Sequence, residues 1–386
     1  MPRHLTTRQV FRLATSRIFA QATKELTQTF RDRFALVLAL VLPMVLLLLL
    51  GNVISLTVTD LPIVVQDLDN SLASRQFIDS LRSSLTFRVV SLSAADNPEK
   101  SLLDNEAKAA IVIPEHFERE VQRHRPVEIQ ALVDATDSNT ANIVRGAIGA
   151  ITRAFVARSL SPETGPVKVS LIKGESRLWY NPGRISNKFY GPGIFVLGLS
   201  IFPPLLAALG MAREGEQKTI LQVYVSSITA TEFLLGKILA GVLLGMLQAT
   251  LMTVELITIF QVHFMGDPTP FLVATLLFLF CVVSFGVFVG AAIPNMAAAV
   301  QVVSIAGFLL SFLLSGLIFP VENIPAGLKW VSGLVQARYY IEIVRDAFLR
   351  GGGWPSVWPS VLAIGLIGAF FYLQAWRTMR RMQVKA

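Results

Sequence analysis

Apolar positions gather into six long runs. They lie at about Phe34–Ile54, Phe189–Met211, Phe233–Phe260, Phe271–Ile293, Ala297–Phe319 and Val357–Trp376. Each is near the roughly 20 residues a helix needs to cross the hydrocarbon core of a bilayer. Pro43 falls inside the first run and predicts a bend, because proline removes one backbone hydrogen bond. The first run is longer than a secretory signal core and no A-x-A site follows it, so a retained span is expected.

Between the first and second runs the pattern changes. "LPIVVQDLDN" reads as a buried strand ended by a turn, and "SLASRQFIDSLRSS" as a Ser-capped helix. "FRVVSLSA", "AAIVIP", "VEIQALVDA" and "VKVSLIK" read as further strands. "PEKSLLDNEAK", "EHFEREVQRHR" and "SNTANIVRGAIGAITRAFVARSL" read as helices. Alternating strands and helices predict an α/β layer domain of a size that buries its own core. The fold class is a polytopic α-helical membrane protein with six transmembrane helices and an inserted α/β extracytoplasmic domain.

Before the first run, from Arg17 to Arg33, Ile18, Phe19, Ala22, Leu26 and Phe30 recur at helical spacing. Lys24, Glu25, Arg31 and Arg33 take the other face. This suits an amphipathic helix lying on the membrane surface with its cations at lipid phosphates, or more plainly a solvated basic leader.

Composition and charge add orientation. The chain is 53% hydrophobic and 16% charged, with a net charge of +8, and its mean hydropathy is +0.57. Residues 1–33 and the tail "RTMRRMQVKA" are strongly basic, whereas 56–188 is nearly neutral. Basic residues at the ends of apolar runs follow the positive-inside bias, which argues against nucleic acid as a partner. Both termini are therefore expected in the cytosol. Residues 1–33 form a cytosolic interfacial segment, 34–54 the first transmembrane helix and 55–188 the extracytoplasmic domain. Residues 189–376 carry helices two to six, with a cytosolic loop at 212–232 and an external re-entrant segment at 320–355. Residues 377–386 form a basic cytosolic tail.

Chemistry-bearing groups are few. Cys281 is single, and His116, His124 and His263 show no ligand spacing, so no metal, cofactor or catalytic set is expected. "DLDNS" lacks the twelve-residue calcium loop and reads as a turn and helix cap. Glu255 lies within the third run, where a carboxylate is costly. It is a pathway candidate or an interfacial carboxylate, with Gln248 a weaker companion. Tyr339, Tyr340, Glu342 and Arg345 form a second set, suited to gating or structure in a dipping helix, with Glu342 and Arg345 spaced to pair. Gly351–Gly353 reads as a flexible joint, and "GPG" at Gly191–Gly193 as a helix start or hinge.

The polar island "AREGEQKTILQVYVSSITATEFLLGK", Ala212–Lys237, mixes both signs of charge with apolar positions at near-helical spacing. Taken alone it fits either a docking surface for a protein or a solvated hairpin linker. Its pattern Arg213-Glu214, Lys218-Thr219-Ile220, Gln222, Ser226, Glu232 and Gly236-Lys237 resembles the cytosolic loop of ABC-2 type transporter permeases, of common form "ERExGTxExLLxxPxxxxExxxGK". "SGLIFPVENIPAGLKWVSGLVQARYYIEIVRDAFLRG", Ser315–Gly351, resembles that family's closing signature, and "KELTQTFRDRFALVLALVLPMVLLLLLG" its entry segment. Lys218 replaces the family's glycine, Ser226 its proline, and Val335-Gln336 its Asn-Pro.

The resemblance implies a permease subunit of an ATP-driven exporter in the cell's inner (plasma) membrane. A separate cytosolic ATPase would bind ATP and Mg, since this chain carries no G-x-x-x-x-G-K-[ST] of its own. It implies ATPase docking at Arg213, Glu214, Glu216, Thr219, Ile220, Tyr224, Glu232 and Lys237, with the N-terminal helix completing the seat. A second permease chain, identical or sibling, and a membrane-fusion-type adaptor are the other implied partners besides lipid. The expected cargo is drug-like, amphipathic or lipid-like. The rival reading is a non-transporting scaffold or secretion-system component whose external domain binds a ligand.

Overall fold

The computed structural model describes residues 7–53, 60–93, 96–104, 106–123, 125–134, 138–159, 186–226, 228–293, 295–318, 321 and 324–381. It divides into two units, Leu56–Arg177 and a second made of Met1–Ser55 with Leu178–Ala386.

The smaller unit is a four-stranded sheet with helices. Its strands are β1 (Leu61–Asp67), β2 (Phe87–Leu92), β3 (Ala109–Ile113) and β4 (Gln130–Val133), in the order β2-β1-β3-β4. β1 runs parallel to β2 and β3, with Ile63 opposite Val89 and Ala109, and β4 runs antiparallel to β3. "LPIVV" is continuously apolar because β1 is central and covered on both faces. Leu61, Ile63 and Val65 enter one core, and Val64 enters a smaller one with Ala107 and Ala110. The main core is completed by α2 (Leu72–Arg82), α4 (Phe117–Gln122) and α5 (Ser138–Ser159), where Phe77, Phe117 and Phe155 pack ring against ring at 5.3–6.2 Å.

Local signals set the helix starts. Ser71 Oγ accepts from Ser74 N at the start of α2, and Asn97 caps α3 (Pro98–Leu103). The aspartates of "DLDN" are bonded into the turn. Asp67 accepts from the backbone of Asp69 and Asn70 and from Ser74 Oγ, and Asp69 accepts from Glu118 N. α3 and α4 are shorter than the segments 98–108 and 115–125 expected to be helical; α4 begins only at Phe117 because His116 stands in the left-handed region at φ +69°. "VKVSLIK" lies outside the described residues.

Among its described residues the larger unit holds α1 (Thr7–Arg31) and six helices long and apolar enough to cross a membrane. These spans are Arg33–Asn52, Tyr190–Glu216, Ala230–Thr258, Thr269–Ala292, Met296–Leu314 and Trp354–Arg380. The second is the most deeply buried, and the first, fifth and sixth the least. The first departs from α-helical winding over Val37–Val41, just before Pro43. "GPG" lies inside the helix Ser186–Glu216 rather than at its start.

Two short helices follow the fifth span: α7 (Ala326–Leu334) and α8 (Gln336–Arg345). Beyond α8 the glycine triplet is a clamped turn instead of a loose joint. Gly351 and Gly353 have φ of +72° and +68°. Asp346, 5% exposed, accepts from Gly352 N, Gly353 N and Ser356 Oγ. The Met265 backbone donates to Ala347 O and crowds Gly351 so closely that a Cβ there has no room.

Candidate functional site

The polar island folds mostly as continuations of its neighbours. The second span stays helical to Glu216, a turn passes through Lys218 at φ +56°, and a short helix, α6 (Ile220–Val225), precedes the third span. Thr219 Oγ1 donates to Glu214 O and so ties down the end of the second span. Thr229 and Glu232 form a reciprocal cap on the third span, the side chain of each accepting from the other's backbone N–H.

Three residues at one end of the third span, Glu232, Gly236 and Lys237, tie it to α1. Glu232 caps the helix and takes Arg17 of α1 at 3.5 Å. Gly236 lets the α1 backbone come close, since a Cβ there would lie 2.6 Å from Gln21 Cβ and 3.0 Å from Ile18 O. Lys237, one residue on, extends its ammonium between two carboxylates. It lies 2.7 Å from Glu25 Oε1 of α1 and 3.1 Å from Glu214 Oε2 of the second span. Lys24 reaches the other oxygen of Glu214 at 2.7 Å, and Arg213 sits 3.5 Å from Asp32. Asp32 in turn caps the first span through Phe34 N and Ala35 N. The Ala35 bond leads the effects holding its carboxyl below the usual 3.8; slight burial opposes, and Arg213 adds to the lowering. Alternating charges therefore join α1 to the ends of the first three spans.

The island's charges are thus mostly absorbed inside the chain. Glu214, Glu232 and Lys237 are 8%, 8% and 6% exposed, and Glu216 accepts from Met296 N at the start of the fifth span. Ile220, expected to face a partner, is buried and anchors α6. Leu221 and Val225, four residues apart and so on one face, point outward, 44% and 89% exposed. The Tyr224 side chain lies outside the described residues. The apolar periodicity of the island does not by itself separate Ile220, which is buried, from Leu221, which is exposed. Of the α1 face opposite the apolar one, Lys24 is exposed as expected, but Glu25 turns inward with Gln21 and Ala22, and Phe19 and Phe30 of the apolar face are left exposed.

At the other end of the bundle, Tyr340 is fully buried, stacked 4.1 Å from Phe278 and hydrogen-bonded to Thr275 Oγ1 at 2.7 Å. The Thr275 hydroxyl already donates to Phe271 O, so the tyrosine donates to it. Tyr339 donates to Gly333 O. Glu342 and Arg345 bond elsewhere rather than simply to each other. Glu342 accepts from Ser360 Oγ, and Arg345 donates to Gly316 O and Leu317 O. α8 is thereby fastened to the fourth, fifth and sixth spans as a packed element.

Glu255 stands apart from both clusters. It is 2% exposed in the third span, and neither carboxylate oxygen has a hydrogen-bond partner among the described residues. Such a group in a bilayer core carries a penalty of about 2.5–3.5 kcal/mol on insertion scales. Gln248, also buried, has a weak donor contact to Met252 Sδ at 3.8 Å.

Residues 33–377 match the family described as ABC-2 family transporter protein. The chain is similar to the Probable multidrug ABC transporter permease YbhS of Escherichia coli (strain K12), 28% identical over 375 residues that cover 96% of this chain and 98% of the relative. It is similar to the Probable multidrug ABC transporter permease YbhR of the same strain, 24% identical over 362 residues, 92% and 97% of the two chains. The Inner membrane transport permease YhhJ is 26% identical over 329 residues, 83% and 85%. This chain belongs to the ABC-2 transporter family and is a multi-pass membrane protein.

Proposed function

We propose that this ABC-2 family chain is the permease subunit of an ATP-driven exporter, worked by a separate cytosolic ATPase that grips α6. The observation carrying the reading is the way α6 is presented. Its outer face offers Leu221 and Val225 to a partner, while its base is fixed to the spans. α1 is joined to the same end of the bundle by ion pairs with Glu214, Glu232 and Lys237. A push on α6 therefore reaches the second and third spans directly, and the fifth through Glu216 and Met296.

In this reading the end carrying α1 and α6 faces the cytosol, both termini lie there, and Phe19 and Phe30 enter the inner leaflet of the plasma membrane. ATP and Mg belong to the partner. The chain works as a dimer with itself or a sibling permease, and an adaptor of the membrane-fusion type is a further partner of the outer domain. The docking contribution of Arg213, Glu214, Glu232 and Lys237 is indirect, because they hold the seat in shape. The cargo is drug-like, amphipathic or lipid-like, in keeping with apolar span interiors and with relatives named multidrug ABC transporter permeases. Glu255 lies toward the opposite end of the pathway, and the Tyr339–Arg345 helix closes it.

The test is co-purification with the ATPase and stimulation of its turnover. Leu221→Asp with Val225→Asp abolishes both in this reading, while the permease itself remains folded. Unchanged association contradicts it.

A further inference from the structure

Apart from the groups gathered at the α1 end, the six spans contain one acidic or basic side chain, Glu255. It falls between two packed layers. On one side of it, Met252 rests against Gly198 of the second span, whose position also borders Pro43 of the first. On the other, the Phe260 ring lies over Gly51 of the first span. The first span thus packs at both levels, and it has an irregular turn at Val37–Val41 and a proline at position 43, as the second span has three prolines and the fifth an irregular turn at Ala306–Leu310. Irregular turns and prolines in helices are where bending concentrates.

A carboxyl with two unused oxygens gains most from a positive charge brought to it in a water-poor site. The described spans offer Glu255 no cation of their own, neither Lys, Arg nor His, away from the α1 end. Metal chemistry is a poor fit, since Glu255 has no second Asp, Glu, His or Cys grouped with it among the described residues. A bulky organic cation, its apolar body packed by residues such as Met252 and Phe260, suits a single carboxyl better.

We infer that Glu255 is the cation-recognition residue of this permease, selecting positively charged amphiphiles over neutral ones. The inference rests on the proposed export of amphipathic molecules and narrows that class. Binding takes the form of an ion pair between the carboxylate and a quaternary or protonated amine or phosphonium.

The experiment uses the permease with its ATPase in proteoliposomes, exporting tetraphenylphosphonium or the neutral triphenylphosphine oxide. Glu255→Gln should lower export of the cation about 30-fold while the neutral probe changes less than about threefold, the loss expected when one member of a buried charge pair is removed. Glu255→Asp should keep the preference for the cation. Equal effects on both probes, or none, overturn the inference, as does loss of the preference in Glu255→Asp should the glutamine variant fail to assemble. Wild type exporting only the neutral probe overturns the inference and leaves amphipathic export standing. Wild type exporting neither, with its ATPase bound and active, overturns amphipathic export itself.

Discussion

Lys237 Nζ lies 2.7 Å from Glu25 Oε1, a contact between residues 212 positions apart, and only 4% of the lysine side chain is exposed. A buried ammonium needs its partners close, and it has two carboxylates plus the Phe233 ring at 5.3 Å. This pair fixes where α1 sits. It turns an N-terminal segment that could have floated on lipid into part of the packed end of the bundle next to α6.

Lys237→Met leaves Glu25 and Glu214 deprived of their shared cation. A loss of about 3–5 kcal/mol is expected, the usual result of breaking a buried ion pair from one side. Combining it with Glu25→Gln recovers part of that loss. Thermal unfolding of the purified permease in detergent, run as a double-mutant cycle, measures the coupling; additive effects contradict the pairing.

The faces of α6 separate by exposure. Ile220→Asp places a charge in a buried position and should lower thermal stability by several degrees. Leu221→Asp and Val225→Asp should leave the melting temperature nearly unchanged and remove ATPase association. If all three variants behave alike, α6 is not a two-faced helix.

Long apolar runs announced the six spans, and the continuous "LPIVV" run announced a central strand. Those patterns come from solvent, which a sequence records directly. The α1 seat was illegible for the opposite reason. Its inward face adds Gln21 and Glu25 to Ala22, and their polarity reads as exposure unless the partner lysine two hundred residues away is known. The resemblance marked Glu232, Gly236 and Lys237 but not their work, since a motif does not say whether a charge meets a partner protein or its own chain. The glycine triplet misled similarly. Gly352 looks flexible until Asp346, buried and accepting from Gly352 and Gly353, shows what holds it.

Tyr340→Phe removes the hydrogen bond to Thr275 yet keeps the ring stack on Phe278, so a loss of about 1 kcal/mol is expected. Tyr340→Ala opens a cavity and should lose about 3–5 kcal/mol. Thr275→Val combined with Tyr340→Phe should cost less than the sum of the two single changes, read by the same unfolding assay.

Gly351→Ala meets both a positive φ and the crowding Met265 carbonyl, and should destabilise by more than about 1 kcal/mol. Gly327→Ala, in α7 with open space around it, should be neutral or slightly stabilising. Comparable losses at the two sites would mean the turn at Gly351 is not clamped.

The most direct test of the account is the side of the membrane on which α6 is reached. Cys281 is buried, so Val225→Cys introduces the accessible thiol among the described residues. A membrane-impermeant maleimide should label it in inverted membrane vesicles, with protection when the ATPase is bound, and should fail to label it in intact cells. Labelling from the outside of intact cells contradicts the central claim that α6 is the handle by which a cytosolic ATPase drives this permease.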